Sequence, residues 1–167
     1  MEFGTGAGLG GFHYVCRFVP SDAANVSGAR MFIGLRNAIA APTNVEPSTL
    51  TNCIGVAQIS TSNNLHIVYG GSAQQTPIDL GAGFPANGAS AAAYEIQLFA
   101  SPVNQTISWK VARLDTGDTV SGNLSGTVGS QVPAATTFLA HAAWRCNNAT
   151  ALACGLDVVS VYLETDN

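Results

Sequence analysis

Apolar residues in this chain recur at every second position, in short runs cut off by Gly, Pro, Asn, Ser and Thr. A period of two belongs to the pleated strand, and an amphipathic helix cannot generate it. In YEIQLFA (94–100) the pattern turns Tyr94, Ile96 and Leu98 inward and Glu95 and Gln97 outward. TISWKVARL (106–114) repeats it, with Ile107, Trp109 and Val111 against Ser108, Lys110 and Ala112. FHYVCRFV (12–19) sets Phe12, Tyr14, Cys16 and Phe18 against His13, Val15, Arg17 and Val19. The segments 30–36, 53–59, 65–70, 118–124, 137–146 and 155–164 complete a set of about nine strands, bounded by turn residues at the spacing expected of an all-β domain. SPVNQT and then LDTGD connect three successive strands as an antiparallel meander. Longer polar, Pro-broken loops at 38–52 and 70–91 favour an antiparallel β-sandwich or jelly roll over an up-and-down barrel.

The terminal strand departs from this pattern. Leu156, Val158 and Tyr162 line one face and Val159, Val161 and Leu163 the other, so both faces are apolar. A sandwich strand normally needs only one buried face, and each large side chain gains roughly 1.5–3 kcal/mol on burial. Symmetric self-association through Val159, Val161 and Leu163 would cover the second face; so would the 70–91 loop folding over it within one chain.

Composition narrows the functional classes. The 167 residues suit one domain, with 1–11 as a Gly-rich lead-in and 12–167 as the folded unit. Charged residues are only 10% of the chain, where roughly 25% is usual, as expected if subunits hide surface from water. There is no apolar run of about 18 residues, so no membrane insertion by a helix is expected, and the N-terminus does not read as a secretory signal. A net charge of −4, with Arg17, Arg30, Arg36, Lys110, Arg113 and Arg145 scattered, disfavours nucleic acid. Cys16, Cys53, Cys146 and Cys154 lack zinc spacing, so no metal or other cofactor is expected. They read as small apolar residues, although Cys146 and Cys154 flank one loop and could meet. The Asn-x-Ser/Thr triplets at Asn25, Asn104, Asn123 and Asn148 read as turn chemistry.

TGDTVSGNL, the Pro-introduced strand ending at Trp144, the turn Asn147-Asn148-Ala149-Thr150 and the closing strand through Tyr162, Glu164, Thr165 and Asp166 resemble the C-terminal domains of bacteriophage tail fibre, tailspike and tail needle proteins. GFHYVCRF, GARMFIGLRN and TNVEPSTLTNCIGVAQ add to the likeness, which covers roughly 12–167. It implies a trimeric β-sandwich knob at the tip of a virion tail fibre or spike. Such a knob binds a bacterial surface polysaccharide or protein and has no enzymatic activity. A purely structural trimerisation cap is the alternative. Receptor contacts are expected at Tyr69, Gln74, Gln75 and Asn87, because loops 69–77 and 84–90 offer an aromatic face with amide donors.

Catalytic readings were weighed beside this one. Asp115-Thr116-Gly117 is the triplet of aspartic proteases, in which two Asp share a proton, yet Asp-Thr-Gly-Asp between strands is also an ordinary hairpin turn. A glycan hydrolase needs two carboxylates across a cleft. Glu46, Asp79, Glu95 and Asp157 are available, but no spacing ties any two together. His13, His66 and His141 sit within strands and read as satisfied side chains. No residue is therefore expected to be catalytic.

Overall fold

The computed structural model describes residues 11–22, 24–38, 40, 44–86, 92–101, 106–134 and 136–165. It contains two five-stranded antiparallel sheets packed face to face. The strands are β1 (Phe12–Pro20), β2 (Arg30–Arg36), β3 (Cys53–Gln58), β4 (Leu65–Gly70), β5 (Ile78–Asp79), β6 (Tyr94–Ala100), β7 (Ile107–Arg113), β8 (Thr119–Leu124), β9 (Ala140–Cys146) and β10 (Leu156–Thr165). One sheet has the order β10-β1-β6-β7-β8, the other β5-β4-β3-β2-β9. The expected antiparallel sandwich is what forms. The nine strands read from the alternation all appear, and β5 is a further two-residue strand within the 70–91 loop.

The inward sets of β1, β6 and β7 are the ones the alternation assigns: Tyr14, Cys16, Phe18, Tyr94, Ile96, Leu98 and Val111 are fully buried, and Trp109 nearly so. They meet Met31, Ile33 and Leu35 of β2, Ile54 and Val56 of β3, and Leu65 and Ile67 of β4 in one continuous core. Phe18 and Tyr94 stack there with centroids 5.6 Å apart.

The second sheet is buried on its outer face as well. Phe32, Cys53, Ala57 and Val68 form a smaller cluster there beneath Leu50, with Val45 and Trp144 at its border. Residues 44–50 lie over them, and the 3-10 turn Pro47–Thr49 brings Leu50 down. Gly34 and Gly55 pair across β2 and β3 under this cover. A Cβ on Gly34 would fall 2.3 Å from the Ile54 carbonyl oxygen, and one on Gly55 2.4 Å from that of Ile33.

The terminal strand β10 is an edge strand, hydrogen-bonded to β1 alone. Residues 157–164 are all exposed, with Val159 at 66%, Val161 at 43% and Leu163 at 40%. The described part of the 70–91 loop does not cover them, since it lies by β4 and β5 at the far edge of the other sheet.

Candidate functional site

The cross-strand register turns the outer face of the β10-β1-β6-β7-β8 sheet into a grid, since directly opposed residues share a face. The first row reads Glu164, His13, Phe99, Ser108, Asn123. The second reads Tyr162, Val15, Gln97, Lys110, Ser121, and the third Ser160, Arg17, Glu95, Ala112, Thr119. The β7 and β8 columns are polar, whereas the centre and left carry exposed rings. Phe99 and Tyr162 are 51% and 53% exposed. The His13 ring lies edge-on to both, with centroids 6.4 and 6.0 Å away.

Glu95 is the most constrained charged group on this face. Arg17 Nε donates to its Oε2 at 2.6 Å, and Gln97 Nε2 donates to its Oε1 at 2.7 Å. Its side chain is only 12% exposed. Burial alone would raise its pKa, but the hydrogen bonds from Arg17 and Gln97 outweigh that and hold the carboxyl below its ordinary value. Beside the pair lies an open hollow of about 320 Å³, lined by Gln97, Ser108, Lys110, Ser121 and Asn123. Ser108 Oγ donates to Asn123 Oδ1 at 2.9 Å. Trp109 turns inward beneath Gly122, so near that a Cβ there would lie 2.8 Å from the indole.

The residues expected as receptor contacts do not come together. Tyr69 packs against the inter-sheet core. Gln74 and Gln75 line a separate shallow hollow of about 280 Å³ with Ser48, Thr76 and Pro77. Asn87 lies outside the described residues. Asp115 is held in a tight hairpin, where Arg113 donates to it through Nε at 2.9 Å and Nη2 at 3.0 Å. Gly117 takes a φ of 83° as the turn requires, and the Arg113 bonds keep Asp115 below its usual pKa. It is a turn residue, exposed and away from either hollow. The other described glutamates are also occupied: Glu46 by Arg30 and the Ser60 amide, Glu164 by Tyr162. Among the described residues no cluster of His, Cys, Asp or Glu could hold a metal ion, and Cys146 and Cys154 are free thiols.

The alternation placed Glu95, Gln97 and Lys110 outward, but it could not assemble them. The missing signal was register, which sets Lys110 opposite Gln97 and Arg17 opposite Glu95.

No family model matches the chain, and no curated protein does. Two solved structures are similar across nearly its whole length. One is scytalido-glutamic peptidase with a transition-state-analogue inhibitor: TM-score 0.53, 12% identity, 96% of this chain and 77% of that one. The other is SCP-B, a member of the eqolisin family of peptidases, in complex with the tripeptide Ala-Ile-His: TM-score 0.51, 11% identity, 96% of this chain and 76% of that one. At such identity the likeness is one of fold. It corrects the expectation of a non-enzymatic phage tail-fibre knob binding a bacterial receptor, because the proteins sharing this sandwich are peptidases. Of the motifs behind that expectation, Thr116-Gly117-Asp118 and Asn147-Asn148 form turns in this structure.

Proposed function

We propose that this chain hydrolyses peptide bonds, with Glu95 as the carboxylate that activates water on the outer face of the β10-β1-β6-β7-β8 sheet. The observation that carries the reading is the hydrogen bond that ties Glu95 to Gln97, whose side chain lines the hollow; the shared fold with two peptidases supports it. Glu95 stands two residues from Gln97 on β6 and shares its outward face. Being ionised, it acts as general base. It removes a proton from water as the oxygen adds to the peptide carbonyl, and returns that proton to the leaving amine as the C–N bond breaks. Gln97 has a second amide N–H to offer the developing oxyanion, and Lys110 adds positive charge nearby.

The test is cleavage of an unfolded polypeptide between pH 3 and 7, followed by mass spectrometry. Glu95→Gln should lower the rate at least about 100-fold, and Gln97→Ala about 100-fold or more, the usual cost of removing an oxyanion donor. Arg17 sets the pH profile. Holding Glu95 ionised below the ordinary Glu pKa of about 4.3 extends activity into acid, so Arg17→Ala should move the acidic limb upward. Cleavage by Glu95→Gln at the native rate, or none by the native protein at any pH, overturns the assignment.

A further inference from the structure

We propose that the hollow around Lys110 is a carboxylate site that takes the C-terminal end of a peptide. The inference rests on the hydrolytic reading only for what happens to the peptide afterwards. Lys110 is an exposed cation that makes no ion pair or hydrogen bond among the described residues. No Asp or Glu lines the hollow with it. Around Lys110 stand the Ser121 hydroxyl and the amides of Gln97 and Asn123, able to donate to an anion, while the Ser108 hydroxyl holds the Asn123 amide in place. At its floor Trp109, 6% exposed, has an Nε1–H with no partner. A hollow lined by one cation and several neutral donors, with the neighbouring acid Glu95 already engaged by Arg17 and Gln97, is complementary to a single carboxylate.

Register supplies the rest. Lys110 is opposite Gln97, and opposed residues on neighbouring strands lie roughly 4.5–5.5 Å apart at Cα. Successive peptide Cα atoms are about 3.8 Å apart. A terminal carboxylate on Lys110 therefore sets the last peptide bond beside Gln97 and Glu95. Phe99, two residues beyond Gln97 on the same face and half-exposed, offers the last side chain an apolar surface. The ligand class is a peptide with a free C-terminal carboxylate and a bulky apolar final residue.

The experiment titrates the Glu95→Gln protein with a pentapeptide ending in Phe, as the free acid and as its C-terminal amide, by calorimetry. The acid should bind about tenfold more tightly, the size of one charge-assisted contact. Lys110→Met in the same background should bring the two within about twofold. Equal binding of acid and amide, or binding of neither, overturns the site. The hydrolytic reading fails separately: tight acid-selective binding with no loss of the last residue in the native protein leaves the carboxylate site standing and removes the catalysis. Internal cleavage with equal acid and amide binding does the reverse.

Discussion

Asp22 and Arg145 are the residues on which the end of the sandwich depends. Their side chains are 0% and 2% exposed, and burying two charges costs least when their polar atoms are engaged; here Arg145 Nη1 is buried without a partner and the rest of the pair is bonded. Arg145 Nε donates to Asp22 Oδ1 at 2.9 Å, its Nη2 donates to Oδ2, and the Gly155 N–H reaches Oδ1 at 3.0 Å. Nη2 also donates to the Ala86 carbonyl at 3.2 Å. The pair thus ties the exit of β1 to the end of β9 and the entry of β10. Asp22→Asn keeps the shape but strands the guanidinium, and should cost about 3–5 kcal/mol in urea unfolding. Adding Arg145→Met should recover part of that loss, because the unpaired charge goes with it. A double variant as unstable as the sum of the singles would show the pair's charge to be unimportant.

Among the elements, β2 and β3 show where a sequence pattern stops being informative. Phe32, Cys53 and Ala57 are buried on the face that alternation leaves to solvent, because the chain from Asn44 to Leu50 folds back over them, a tertiary event that no two-residue period records. Glu46 fastens that cover. It accepts from Arg30 Nε at 2.9 Å and from the Ser60 amide at 3.3 Å. Burial would raise its pKa, but the Ser60 and Arg30 bonds prevail and lower it. A carboxyl depressed in the folded state stabilises above its unfolded pKa of about 4.3, and that contribution disappears as pH falls through the lower folded value. Glu46→Gln should therefore melt below the native protein at pH 7, with the gap closing towards pH 3. A gap independent of pH would assign the loss to packing alone. By contrast, the inward and outward faces of β6 and β7 were legible, since each has one solvent face, whereas the Arg17–Glu95 pair needed the register between β1 and β6.

For the molecule as a whole, the unresolved energetic question is β10. The sequence shows that both its faces are apolar; which of them the fold covers depends on the strand's place in the sheet, and β10 is an edge with eight consecutive exposed residues. A ten-residue edge strand presents a row of unpaired backbone groups as well as side chains, and natural proteins guard such edges with charge, proline or cover. Here residues 158–163 carry no charge and no proline, and only Asp157 and Glu164 stand at the ends. A second copy of the chain would supply the matching apolar surface, and the low charge of the whole sequence fits a surface partly hidden between copies. We therefore predict self-association through β10. Light scattering on a size-exclusion column should give a multiple of the 17.1 kDa chain mass. Val161→Lys places a charge at the middle of the open edge and should return the protein to single chains without lowering its melting temperature by more than a few degrees, because Val161 is already 43% exposed. The carboxylate hollow lies at the opposite end of the grid, on β7 and β8, so peptide binding by the Val161→Lys protein should match that of the native assembly. A native protein that runs as a single chain would show instead that this edge stays solvated, its apolar side chains held apart from other copies by the acids at its two ends.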